Sequence, residues 1–189
     1  MGNLQLSYSS ISTFKQCPQR WKYKYIDKIK DPSGYAAVLG GFVHLVLEHF
    51  YKLPRSQRDA EHLRDLARQH WDVAIAEENN DILRVCGDDE KELKTFRQKS
   101  WASLITIWDM ETPTNVDVVA TEKPFNIKAG DVNLRGFIDR IDRKNGRLEI
   151  VDFKTGTAPR KIYQKDKLDQ LYIYGLAVRS SMKQLPARG

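Results

Sequence analysis

The sequence predicts an α/β chain, α+β in its layout, with a helical N-terminal half to about residue 112 and strands plus a closing helix over 113–189. Three observations lead there. Apolar residues recur at helical spacing in successive stretches up to residue 110, and after Thr112-Pro113-Thr114-Asn115 the pattern changes to short strand-like runs. In residues 136–156, GFIDRIDRKNGRLEIVDFKTG, two runs mixing apolar and charged residues flank Asn145-Gly146. Asn-Gly is the strongest short-range hairpin signal, because both residues tolerate the left-handed backbone of a two-residue turn.

Taken in order, serines from Ser7 onward offer a cap for a first helix with Ile11, Phe14 and Cys17 at helical spacing. Pro18 suits the first turn of a second helix, carrying Trp21, Tyr25 and Ile26 on one face. Arg20, Lys22 and Lys24 interleave with these aromatics, which fits core packing with outward-reaching cations or a nucleic-acid contact. Residues 35–52 read as a helix with Val38, Phe42, Leu45, Val46 and His49 along one side, while His44 and Glu48 share a face. Pro54 and Ser56 end that helix and cap the next, over 57–78; a polar break at 79–89 precedes another over 90–110. The tryptophans of these two helices read as core residues rather than base-stacking platforms. Strands are expected over 116–122, 124–128 and 132–135, the last leading into the hairpin strands 137–142 and 148–155. A basic loop follows at 157–165, with Arg160 and Lys161 as candidate phosphate contacts, and then a helix to about 183 that sets Gln170 and Tyr174 one turn apart.

At 189 residues, 41% hydrophobic and 30% charged, the chain is expected to form one domain with an ordinary globular core. No apolar run approaches the ~20 residues that span a bilayer, and the first residues lack a signal-peptide pattern, so a cytoplasmic protein without a membrane partner is expected. The net charge of +6 favours a polyanionic partner. Cys17 and Cys86 stand far apart without Cys-x-x-Cys spacing, which argues against a disulfide framework or a zinc site and fits two buried thiols.

The chemistry concentrates in the hairpin. Side chains alternate along a strand, so Asp152 and Lys154 share a face, and the turn can bring Asp139 alongside Asp152. Two carboxylates and an ammonium on one patch suit Mg²⁺ or Mn²⁺, which prefer oxygen ligands, and hydrolysis of a phosphodiester. Asp-x-Lys by itself is a common solvated ion pair of a hairpin surface. Here Ile150, Val151 and Phe153 surround it, so that a run apolar on both faces is expected to bury the charges, and buried charges need a partner or a metal.

Residues 136–142 followed by residues 150–156 resemble motifs II and III of the PD-(D/E)xK nuclease superfamily, in its RecB-like branch, which is related to CRISPR-associated and phage exonucleases. The resemblance extends along nearly the whole chain. Ser7-x-Ser9 with Cys17-Pro18 is similar to the family's N-terminal segment, residues 39–48 around His44 to its motif I, Glu122-x-x-Phe125 to the strand before motif II, and Gln170-x-x-x-Tyr174 to its last motif. It implies a restriction-endonuclease-like core with a mixed sheet flanked by helices, and metal-dependent cleavage of DNA, expected here as exonuclease action, in repair, recombination or phage DNA processing. Carried over, His44, Asp139, Asp152 and the Phe153 carbonyl bind the metal, and Lys154 positions the attacking water. Gln170 and Tyr174 orient the scissile region, with Tyr174 reaching the bound strand, and Glu122 receives no catalytic role; apart from the resemblance, the basic residues Arg20, Arg160 and Lys161 are candidate nucleic-acid contacts or solvated side chains. A helicase or recombination protein is the kind of partner implied. Two departures accompany the likeness. Relatives continue past the last motif into further strands, which implies that residues 1–189 are a minimal or C-terminally truncated version. Some relatives bind an iron–sulfur cluster through one N-terminal and three C-terminal cysteines; Cys17 matches the first, no trio follows, and no cluster is expected.

Overall fold

A computed structural model describes residues 4–78, 80–87, 89–156, 164–184 and 186–187. The chain divides into two compact units: Met1–Pro32, Glu122–Asp152 and Ala158–Gly189 form one, and Ser33–Thr121 with Phe153–Thr157 the other.

The first unit is organised by a sheet. Strand β1 (Leu4–Leu6) leads into helix α1 (Tyr8–Gln16), whose N-cap Ser7 accepts a hydrogen bond from the Ser10 N–H at 3.1 Å. Cys17 separates α1 from α2 (Pro18–Trp21), which continues into a π-helical turn, Lys22–Ile26. The Trp21 indole donates to Ser10 Oγ at 2.7 Å and packs edge-on against Phe14, tying the two helices together. Only part of the expected apolar face is covered: Phe14 and Ile26 are half exposed and Cys17 is exposed, whereas Cys86 is buried.

Strands β2 (Val118–Ala129), β3 (Val132–Lys144) and β4 (Arg147–Val151) follow, and helix α7 (Gln164–Met182) closes the unit. β3 pairs in parallel with β1, Leu4 opposite Val132, and antiparallel with β4, Arg140 opposite Val151, so the four-stranded sheet is mixed. The β3–β4 turn takes positive φ at both central residues, 50° at Asn145 and 76° at Gly146, as the right-handed twist of a tight hairpin demands. Helix α1 lies against β3 and α7, and α7 against β4. Leu134, Ile138, Ile141, Leu148, Ile150, Ala177 and Val178 are buried. Arg140 and Asp142, also buried, form an ion pair at 2.9 Å.

Two strand expectations change. Separate strands over 116–122 and 124–128 imply a break at Lys123, yet β2 runs unbroken from Val118 to Ala129: Pro124 is exposed, where its missing N–H is tolerated, and Glu122 absorbs the irregularity with φ of 43°. β4 ends at Val151, so Asp152, Phe153 and Lys154 lie beyond the ladder rather than inside it.

The second unit is helical. Helix α3 (Tyr35–Lys52) packs against α4 (Ala60–Ala76), α5 (Asp81–Cys86) and α6 (Glu90–Asp109). Its Val43, Val46, Leu47 and Phe50 are almost wholly buried, with Leu63, Phe96 and Leu104 from the partner helices, while Leu45 faces outward. The cap of α4 is Asp59, which accepts from the His62 N–H at 2.9 Å, and Ser56 falls in a 3₁₀ turn, Arg55–Gln57. Buried Arg58 explains the shift: it donates to the carbonyls of Leu53 and Val116, both at 2.9 Å, and so holds the chain out of the helix until residue 60. Helix α5 occupies part of the expected polar break, capped by Asn80 and held by buried Ile82 and Cys86 one turn apart.

Candidate active site

In the sheet unit the paired register ends with Arg140 opposite Val151, so Asp139 and Asp152 each lie one residue past the last paired position. Asp139 has Arg140 and Asp142 on the opposite face of β3, where they pair with each other, so Asp142 is held apart from the Asp139 side. Glu122 joins from β2: its carboxylate oxygen and that of Asp139 lie within 4.8 Å of each other. Its left-handed backbone is sparsely populated for a non-glycine residue.

Helix α7 contributes Tyr174, 6% exposed, whose ring meets Phe125 edge-on at 5.9 Å. The Gln170 side-chain amide donates to the Tyr174 hydroxyl at 2.6 Å. Burial pushes the phenol well above its ordinary range; the Gln170 hydrogen bond opposes this, and the negative charges of Asp152, Asp139 and Glu122 reinforce it. Tyr174 is therefore a neutral donor facing three carboxylates. Phe125 is seated over Gly136, where a Cβ would come within 2.9 Å of the ring. Beside them lies a cavity of about 640 Å³ lined by Ser7, Ser9, Arg135, Phe137, Gln170 and Tyr174. The N-terminal serine pair and the last motif thus border one space.

In the helical unit, His44 Nε2 stands 3.0 Å from the Phe153 carbonyl oxygen, and the two rings meet edge-on. One turn earlier on α3, Gly40 faces Thr155, whose hydroxyl would be 3.1 Å from an added Cβ. Phe153 is buried and stacked with Tyr51, which fixes the backbone that presents its carbonyl. Lys154 is exposed, a correction to the expectation of a segment buried on both faces: the ladder has ended, and only Ile150 and Phe153 turn fully inward. Glu48 pairs with Lys52 at 2.5 Å along α3. His49 stacks on His70, with Nδ1 and Nε2 2.5 Å apart.

Each unit offers donors that a hard divalent ion accepts. His44 Nε2 and the Phe153 carbonyl oxygen lie 3.0 Å apart, within hydrogen-bond distance, and both are of ligand type. The carboxylates of the sheet unit are the oxygen donors such an ion prefers. Arg20 is engaged with Asp31 at 2.8 Å, and Arg160 and Lys161 lie outside the described residues. Glu122 is the residue that sequence reasoning set aside. Its signal was the Glu-x-x-Phe spacing before the hairpin, but the backbone twist that turns it toward Asp139 left no trace in the periodicity.

A mixed sheet with a carboxylate pair at the end of a β-hairpin is the framework of a nuclease fold, and the chain belongs to the PD-(D/E)XK nuclease superfamily, whose family model matches residues 5–189. Individual relatives are distant. The chain is 42% identical over 59 residues, 31% of its length and 18% of the relative's, to the Gene 69 protein of Mycobacterium phage L5. It is 27% identical to the Gene 69 protein of Mycobacterium phage D29, over 91% of this chain and 68% of that one. To an ATP-dependent helicase/deoxyribonuclease subunit of Clostridium botulinum (strain Loch Maree / Type A3) it is 30% identical, over 93% of this chain and 17% of the relative. The chain thus spans less than a fifth of the phage L5 protein and of the clostridial one. No helix among the described residues is long and apolar enough to cross a membrane.

Proposed function

We propose that this chain is a divalent-metal-dependent deoxyribonuclease of the RecB-like type, an exonuclease that hydrolyses phosphodiester bonds in DNA repair, recombination or phage DNA processing. The observation that supports the reading is the set of carboxylates around the neutral Tyr174: Glu122 beside Asp139, and Asp152 one residue past the paired strands, each acting on the phenol. Such a concentration of like charge is costly unless a cation offsets it.

In this reading Asp139 and Asp152 would be carboxylate ligands of Mg²⁺ or Mn²⁺, with Glu122 supporting Asp139, and the family resemblance gives His44 and the Phe153 carbonyl the same ligand role. When bound, the ion supplies Lewis-acid polarisation of the phosphate and a more acidic water. The Lys154 ammonium, exposed and reached by solvent, orients the attacking water and offsets charge as it builds on the phosphorus oxygens. Gln170 fixes the Tyr174 hydroxyl through its own N–H, which leaves the phenolic hydrogen to be donated to a phosphate oxygen. Strand positioning falls to the cavity beside Tyr174, where Ser7, Ser9 and Arg135 offer donors to phosphates and the exposed Phe137 offers an apolar face to a base. The clostridial relatives join helicase and deoxyribonuclease in their names, which supports a helicase or recombination protein as the partner that delivers DNA ends.

End-labelled linear single- and double-stranded DNA and closed circular DNA, incubated with Mg²⁺, Mn²⁺ or EDTA, test the proposal. The expected result is metal-dependent degradation of linear DNA that spares circles. Asp152→Ala should abolish it, and Lys154→Ala should lower the rate by about 10²-fold or more while DNA binding is retained. Undiminished turnover by either variant overturns the assignment. Absence of cleavage by folded protein that still binds DNA would make the chain a binding module on a nuclease fold.

A further inference from the structure

The helical unit contains a second cavity, about 400 Å³, between α4 and α6. Along α4 it is lined by Arg64, Arg68 and Trp71, and along α6 by Lys94, Arg97 and Trp101. The positions recur at intervals of three and four on each helix, so each set forms a single stripe. The stripes face each other in opposite directions: the Arg64 guanidinium lies 5.5 Å from the Trp101 ring and that of Arg97 lies 5.1 Å from the Trp71 ring. Each tryptophan therefore meets an arginine of the other helix. Phe42 of α3 forms part of the wall; His44, two residues on, points to another side of α3, toward Phe153.

Three features distinguish this groove from ordinary helix packing. None of its described lining residues is acidic, and among the described residues Arg64, Lys94 and Arg97 enter no salt bridge, while Arg68 has one, to Asp65 at 3.5 Å. Four cations along one groove repel one another until an anion joins them. Ser100, 2% exposed and also lining the cavity, has a hydroxyl with no hydrogen-bond partner among the described residues, in a setting where buried polar atoms are nearly always satisfied. Both tryptophans are only half-buried, at the base of the cationic stripes.

We infer that this groove binds single-stranded nucleic acid, with phosphates on Arg64, Arg68, Lys94 and Arg97 and a base against the Trp71 or Trp101 ring. Guanidinium groups take phosphate oxygens in pairs, and three of the four cations are arginines. An indole offers a platform that an unstacked base can use, whereas the bases of a duplex already stack on their neighbours. An acidic peptide satisfies the charge but brings no base to lie beside the half-buried indoles and their arginine partners. As a statement of strandedness this rests on the nuclease reading; as a statement of binding it stands apart from it.

The test is binding of fluorescein-labelled oligo(dT) and of a hairpin duplex to the full chain in EDTA, where no cleavage occurs, with tryptophan emission followed in parallel. The groove requires that oligo(dT) quench tryptophan emission and that Arg64→Glu/Arg97→Glu weaken oligo(dT) binding by about tenfold or more, with duplex binding altered far less. Lys94→Ala, an exposed position, should weaken it by about threefold, and serves if the double variant does not fold. Unchanged oligo(dT) affinity in a folded variant overturns the proposal, as does poly-glutamate displacing oligo(dT) at equal concentration of charge. Loss of groove binding with cleavage intact, or the reverse, separates the failure of one reading from that of the other.

Discussion

Tyr174 condenses the residue-scale argument. Burial raises its pKa, the adjacent carboxylates raise it further, and Gln170 holds its oxygen, so at working pH it stays a neutral donor. Tyr174→Phe keeps the ring against Phe125 and removes only the hydroxyl; DNA cleavage should fall by about 10²-fold with the fold intact. The shift also has a sign for stability. An acid whose folded-state pKa lies above its unfolded value of ~10 keeps its proton when the unfolded chain has lost it, so stability declines as pH rises above ~10. Urea midpoints between pH 9 and 11 should fall less in Tyr174→Phe than in the parent. The Arg140–Val151 register could be read from spacing alone, because antiparallel register is arithmetic; the placement of Glu122 could not, because it depends on a left-handed residue inside a strand.

Among elements, α3 and α4 are joined by the His49–His70 stack as well as by apolar contacts. Burial lowers the His70 pKa, and a charge on His49 would lower it further, with Glu48 opposing. A base with a depressed folded-state pKa contributes fully above its unfolded value of ~6.5 and loses that contribution as pH falls through the folded value. Thermal midpoints should therefore drop between about pH 7 and 5, and His70→Gln, which cannot take the proton, should flatten the decline. Helix periods were readable where apolar residues were dense, as in α3, whose limits of 35 and 52 match the expected span. They failed at α5, where two buried residues on six positions are too few to show a period, and at the start of α4, where Arg58 binds carbonyls from distant loops.

For the molecule as a whole, a net charge of +6 and two cavities bordered by arginine make long-range attraction to polyanions a general property. DNA affinity measured in EDTA should fall by about tenfold or more between roughly 50 and 200 mM salt, linearly on a double-logarithmic plot. A flat salt profile would assign the charge to solubility alone. Under the proposed mechanism, removal of divalent ions should abolish cleavage while leaving this binding in place, because the ion is assigned to the carboxylates and the attraction to the cations.

Sequence alone determined the fold class, the Asn145-Gly146 hairpin, and the order of motifs from Ser7 to Tyr174. Each follows from local rules: side-chain alternation, helical period, or the backbone preference of a turn. Tertiary structure decided what no local rule encodes. It joined β1 in parallel to β3 across more than a hundred residues, turned Glu122 toward Asp139, and left Lys154 in solvent. It also faced Trp71 with Arg97 and Trp101 with Arg64, turning two tryptophans expected in the core into the walls of a cationic groove. Contacts between residues far apart in the chain depend on how elements pack, and periodicity reports only which face of each element is apolar.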